Sequence, residues 1–228
     1  MTDPELFIFD CDGVLVDSEI LSVRGYVRAY ARHGLAIEES DVAKCFGMKQ
    51  ADIFQSIGAA TRQVFPPEHA DDLWEEIRTL LQAELVAIEG IDKLLDALPA
   101  RRCVASSSAP ERIALSLSLT DLTQRFGEAV FSSTMVRAGK PAPDLFLHAA
   151  ACMGAAPARC VVFEDSVYGI IAARAAGMHA IGFTGGRHLP PGHDALLLDA
   201  GAHHVFGSWR EAGEALGLGA DMTRVTRR

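Results

Sequence analysis

Four apolar residues, Leu6-Phe7-Ile8-Phe9, run straight into Asp10, and Asp12-Gly13 follows as a turn signal. An apolar run of this length bounded by a turn reads as a strand buried on both faces, as in a parallel sheet. The period then changes. Leu21, Val23, Tyr26, Val27, Tyr30 and Ala31 recur at roughly helical spacing, and Gly34 after His33 offers a C-terminal stop. Short helices are expected over 38–45 and 50–57. Pro66-Pro67 opens a longer one over 68–85, with Leu73, Trp74, Ile77, Leu80, Leu81 and Leu85 on one side. No strand pattern interrupts 19–85, so this stretch is expected to form a compact helical subdomain inserted after the first strand.

From Gly90 strands and helices alternate. The pattern predicts a helix over 91–98 closed by Pro99, a strand over 103–105 leading into Ser106-Ser107-Ser108, and a helix over 110–117. A short strand over 129–131 is followed by the loop Lys140-Pro141-Ala142-Pro143-Asp144, with Asp144 as the expected cap of a helix over 145–153. A strand over 160–163 runs into Glu164-Asp165. A helix over 167–176 ends at Gly177, a strand covers 178–183, a weaker one lies within 202–206, and a last helix begins at Ser208. The tail after Gly219 is expected to fray. Alternation of this kind implies an α/β fold with a Rossmann-like parallel sheet. The expected division is a core of 1–16 and 88–228 with a helical insertion over 17–87.

Composition narrows the class. Apolar residues at 49% and charged residues at 22% of 228 are ordinary for a globular protein. No apolar run reaches the ~18 residues needed to cross a bilayer, and the acidic start Met1-Thr2-Asp3-Pro4-Glu5 lacks the basic region of a signal peptide. A cytoplasmic protein without a membrane partner is expected. The net charge of −9 argues against nucleic acid as a partner, because that binding needs basic surface. The five cysteines, Cys11, Cys45, Cys103, Cys152 and Cys160, have no C-x-x-C spacing and read as reduced thiols, mostly in the core.

The expected strands share an ending. The first stops at Asp10 and Asp12, the second at Ser106, the 160–163 strand at Glu164 and Asp165, and Lys140 lies in the loop after the short strand. Parallel neighbours would bring these groups to one edge, where open α/β sheets bind ligands. Clustered carboxylates suit a hard divalent cation, Mg2+ by default. The lysine and the serine turn suit an anion, with Ser107 and Ser108 as other registers for Ser106. Carboxylates, metal and lysine together make a phosphoryl-transfer site. The eight histidines show no metal spacing and receive no chemical role.

The motifs Asp-Cys-Asp-Gly-Val-Leu-Val-Asp-Ser at 10–18, the Ser106 turn, Lys-Pro-Ala-Pro-Asp at 140–144 and Glu-Asp-Ser at 164–166 resemble, in this order, the four motifs of the haloacid dehalogenase superfamily. The similarity is to its capped phosphatase and phosphomutase branch and covers nearly the whole chain. It implies that Asp10 is a nucleophile forming an aspartyl-phosphate and that Asp12 is the general acid–base. It implies that Asp10, the Asp12 carbonyl and Asp165 hold Mg2+, with Glu164 binding directly or through water. Ser106 and the Ser107 amide would hold the phosphoryl oxygens, and Lys140 would neutralise nucleophile and phosphate. Asp17 and Ser18 would mark the passage into the cap and receive a structural role.

Within the superfamily, Asp12 argues for phosphoryl transfer over dehalogenation. Phosphonate hydrolysis would need a cap lysine, for which Lys44 and Lys49 are the available residues. β-Phosphoglucomutase-type enzymes carry a histidine shortly after the Asp-Ser pair, where this chain has Glu19-Ile20-Leu21-Ser22, and an arginine where it has Gly47-Met48-Lys49-Gln50. The latter loop looks more like caps of sugar-phosphate phosphatases, including 6-phosphogluconate phosphatase-like members. The expectation is a Mg2+-dependent phosphatase of a small phosphorylated metabolite, a monomer or weak homodimer, with Lys49 steering the substrate's anionic end or standing as a solvated loop residue. The alternatives are a sugar phosphomutase and, from another class, a catalytically silent binding protein.

Overall fold

The structure, a computed structural model, describes residues 4–222 apart from Phe46, Lys49 and Ala100. Lys49, the candidate substrate residue, therefore lies outside the described residues. Six parallel strands form one sheet in the order β3-β2-β1-β4-β5-β6: β1 (Leu6–Phe9), β2 (Arg101–Ser106), β3 (Val130–Ser132), β4 (Cys160–Glu164), β5 (His179–Phe183) and β6 (His204–Phe206). The first strand in sequence is thus central in space. Phe9 is level with Val104 on one side and Phe163 on the other.

Every residue of β1 is buried, and the strand alternation sends them to two cores. Phe7 and Phe9 face one apolar cluster with Phe163, Phe183 and Trp209; the Phe9 and Phe163 rings stack at 5.1 Å. Leu6 and Ile8 face the other, with Phe146, Ala149 and Ile170.

Between β1 and β2 the chain forms α1 (Glu19–Arg32), α2 (Glu39–Ala43), α3 (Gln50–Thr61) and α4 (Ala70–Glu84). They share a third apolar cluster that includes Tyr26, Tyr30, Val42, Ile57, Leu73, Ile77 and Leu81. The chain leaves and re-enters the sheet layer side by side: the Asp17 amide donates to the Val86 carbonyl at 3.0 Å and the Ile88 amide to Leu15 at 2.9 Å.

The remaining helices are α5 (Ile91–Ala97), α6 (Pro110–Leu119), α7 (Thr123–Phe126), α8 (Asp144–Cys152), α9 (Val167–Ala175), α10 (His193–Asp199), α11 (Trp209–Ala215) and α12 (Gly219–Met222). α7 carries too few turns for a periodic signal and α10 buries only Leu197, and neither is predicted by the sequence. Two further expectations change. Asp144 is the first residue of α8, with Pro143 at the cap position. The region from Gly219 to Met222 is helical, and Met222 is buried against the first core. No disulfide joins the cysteines: Cys11, Cys45, Cys103 and Cys160 are buried thiols, but Cys152 is exposed.

Candidate active site

β1, β2 and β4 end together, so their last residues and the turns beyond them meet at one edge. The Asp10 amide continues the ladder to the Phe163 carbonyl at 3.0 Å. Its carboxylate leaves the sheet beside Lys140, whose Nζ donates to Asp10 Oδ1 at 2.6 Å, to the Ala105 carbonyl at 3.2 Å and to Glu164 Oε1. Lys140 is 6% exposed, and a buried ammonium persists only when paired this closely. Burial pushes its pKa down, but Asp10 and Glu164 outweigh that and hold it above the usual lysine range.

Asp10, Glu164 and Asp165 each offer a carboxylate oxygen within 4.8 Å of the others, all buried. Burial raises the pKa of Asp10 first, and Glu164, Asp165 and Asp12 raise it further against the pull of Lys140. Asp165 is raised by burial and then by Glu164. Glu164 also accepts from the Ser166 amide at 3.1 Å and the Ser166 hydroxyl at 2.9 Å. The donor set fits a hard divalent cation. Among the described residues Lys140 pairs with Asp10 and Glu164, Arg112 with Asp12, and His188 lies beside Asp165, so carboxylate oxygens outnumber the cations around them. Gly13 keeps this space open. Its φ is +77°, and a Cβ there would lie 1.9 Å from Asp165 Oδ2.

Asp12 stands apart from the three clustered carboxylates. Its Oδ1 accepts from the Ser18 hydroxyl at 2.6 Å and Arg112 Nη2 at 2.7 Å, and its Oδ2 accepts from the Ser108 hydroxyl at 2.6 Å. Burial alone would raise its pKa, but Arg112 and the Ser108 and Ser18 hydroxyls hold it below the usual carboxylate range. Arg112 Nη2 also donates to Ser22 Oγ at 2.7 Å, joining α6 to α1.

Ser106 is buried, and its hydroxyl accepts from the Ser108 amide at 3.1 Å. Ser107 lines the same cavity and donates its hydroxyl to the Gly47 carbonyl at 3.0 Å. Gly47 reaches the sheet edge with φ +82°, and a Cβ on it would lie 2.6 Å from Ser166 Oγ.

The structure therefore gathers Asp10, Asp12, Ser106, Ser107, Lys140, Glu164 and Asp165 at one edge. The sequence pattern singles out neither Arg112 nor His188. Arg112 sits in the first turn of the helix after β2, which places it at the same edge. Ser108 was read only as an alternative register. His188 is in the loop after β5, with its Nε2 2.9 Å from Asp165 Oδ2. Ser18 and Asp17 do more than mark a passage: Ser18 holds Asp12, and Asp17 accepts from the Arg187 amide at 3.3 Å and from the Arg187 side chain.

A family model described as haloacid dehalogenase-like hydrolase matches residues 4–177. The chain belongs to this family. It is 32% identical over 193 residues to the 6-phosphogluconate phosphatase of Escherichia coli (strain K12), covering 84% of this chain and 87% of that protein. Among solved structures, a haloacid dehalogenase-like protein of unknown function from Agrobacterium tumefaciens is 36% identical with a TM-score of 0.80, covering 95% of this chain and 99% of that one. A family hydrolase from Deinococcus radiodurans, solved with bound phosphate and sodium, is 32% identical with a TM-score of 0.77, covering 99% and 100%. Against these haloacid dehalogenase-like hydrolases the six-stranded parallel sheet is the family's α/β fold.

Proposed function

We propose that this hydrolase is a phosphatase that cleaves small phosphorylated carbohydrates through an aspartyl-phosphate on Asp10. The observation that carries the reading is the pairing of a lysine-held carboxylate, Asp10, with a second carboxylate two residues on that is held by three separate donors. The carbohydrate class is supported by the phosphatase relative at 32% identity.

Lys140 fixes one oxygen of Asp10 and turns the carboxylate toward the phosphoryl group. An Asp10 oxygen bonds to phosphorus as the bond from phosphorus to the ester oxygen breaks. Asp12 gives that oxygen its proton. Asp12 takes up a proton from solvent as the anionic phosphoryl group binds beside it, and this is the proton it passes to the leaving oxygen. In the second step Asp12 takes a proton from water, whose oxygen bonds to phosphorus as the Asp10–phosphorus bond breaks. Ser106 and Ser107 hold the phosphoryl oxygens. Asp10, the Asp12 carbonyl and Asp165 would hold Mg2+, and Glu164, which also orients Lys140, would bind it directly or through water. Bound there, Mg2+ would neutralise phosphoryl charge during transfer.

We read residues 17–87 as a cap that closes this site against water. The stretch Glu19-Ile20-Leu21-Ser22 has no histidine of the kind that mutases carry there, and Ser22 is occupied with Arg112 and the Ser18 carbonyl, which favours hydrolysis over isomerisation. The test is phosphate release from a panel of sugar phosphates with Mg2+ or with a chelator. Wild type should turn over with Mg2+ only, and Asp10→Asn and Asp12→Asn should each lose at least about a thousandfold. Full activity in Asp10→Asn overturns the nucleophile. Isomerisation of glucose 1-phosphate with a bisphosphate primer and no phosphate release makes the chain a mutase.

A further inference from the structure

The cavity that holds Asp10 and Asp12 has a volume of about 570 Å³, far more than a phosphoryl group fills. Its floor is polar: Ser106, Ser107, Ser108 and the two aspartates. Its far wall comes from α1, α2, α3 and α4 and is of another kind. Tyr26, Val42, Met48, Ile53, Trp74 and Ile77 line it. Tyr26, Val42 and Ile77 are buried, whereas Met48, Ile53 and Trp74 keep part of their surface toward the cavity space.

Charge follows the same division. Among the described lining residues Arg112 is the only cation, and Asp12 and Ser22 occupy it. The exposed carboxylates Asp71 and Glu111 also line the cavity, as does Glu19, whose pKa burial pushes up to about 8. Among the described lining residues, a second anionic group on the substrate, such as the carboxylate of a sugar acid or a second phosphate, would meet Gln50, carboxyl groups and apolar side chains but no unoccupied cation. Desolvating an unpaired charge there is costly. An apolar group would displace water from Ile53, Met48 and Trp74, and such burial favours binding in proportion to area.

We propose that the alcohol this enzyme releases is uncharged and carries an apolar body, the size of a ring or a branched alkyl group, seated against Tyr26, Val42, Met48, Ile53, Trp74 and Ile77. The proposal rests on the phosphatase reading above and narrows its substrate. In bond terms nothing changes at phosphorus: the ester oxygen that leaves takes its proton from Asp12 and carries the apolar body away with it.

The experiment compares three phosphoesters that present the same primary phosphate: phenyl β-D-glucoside 6-phosphate, glucose 6-phosphate and 6-phosphogluconate. The phenyl glucoside should have a kcat/KM at least tenfold above glucose 6-phosphate, and the sugar acid at least tenfold below it. Trp74→Ala and Ile53→Ser should each bring the ratio of phenyl glucoside to glucose 6-phosphate down to within threefold of one. A general loss of folding lowers both substrates together and leaves that ratio unmoved. Lys49, between Met48 and Gln50 in sequence, provides the opposite arm. If 6-phosphogluconate is the best of the three and Lys49→Met abolishes that preference, an anion site governs the cavity and the proposal is overturned. Equal turnover of the three also overturns it, while the phosphatase reading stands. No release of phosphate from any ester overturns both.

Discussion

Asp12 shows how one residue's chemistry is built by others. Its carboxylate is held from both sides by Ser18, Ser108 and Arg112, so it has one geometry rather than several. Arg112 is the contributor that brings a charge to Asp12. Arg112→Met keeps most of the stem while removing the charge. It should lower kcat about 10- to 100-fold with KM within threefold, because Asp12 is left less firmly oriented for proton transfer. Steady-state kinetics check this, and Arg112→Lys should restore part of the loss. A KM effect with kcat intact would place Arg112 in substrate binding instead. At this scale the sequence reveals residues that lie inside a motif. Asp10, Asp12, Ser106, Lys140, Glu164 and Asp165 follow strand ends, and their convergence could be read from strand parallelism. Arg112 and His188 lie in a helix turn and a loop, and only the third dimension brings them to Asp12 and Asp165.

Among elements, the strands that the chain buries on both faces are the ones its pattern announces. β1 is an unbroken apolar run, and β4 is one up to Glu164. β2 extends two residues earlier than its apolar part because Arg101 and Arg102 pair with Leu6 and Phe7 along the ladder despite their charge. α10 escapes sequence reading because only Leu197 of its residues is buried. The loop around Gly47 joins the inserted helices to the sheet edge, since its carbonyl accepts from Ser107 and it leaves no room for a side chain beside Ser166. Gly47→Ala adds the cost of a left-handed backbone, about 1–2 kcal/mol, to a contact 2.6 Å from Ser166 Oγ. The variant should lose about tenfold in kcat/KM. An unchanged kcat/KM with a lowered Tm would mean that this loop need not reach Ser166 during turnover.

For the whole molecule, pH enters through a histidine remote from the active edge. His179 opens β5, its ring stacked at 3.9 Å on His203. Burial, then His203 and His204, push its pKa from 6.5 down to about 4. The folded state keeps it neutral while the unfolded chain protonates it near 6.5. Between these values the unfolded state binds more protons, so stability is lost as pH falls from 6.5 toward 4. His179→Leu should shrink the drop in urea midpoint between pH 7 and pH 4.5, and an unchanged drop would assign the acid sensitivity elsewhere. No described helix is long and apolar enough to cross a membrane. The central place of β1 bears on synthesis as well. β1 is made first, yet its neighbours begin only at Arg101 and Cys160. At about 5–20 residues per second, the most apolar strand of the sheet waits on the order of 5–20 s with both edges unpaired. The helices α1 to α4, which share contacts local in sequence, are complete in that interval and can shelter the nascent strand from pairing with another chain.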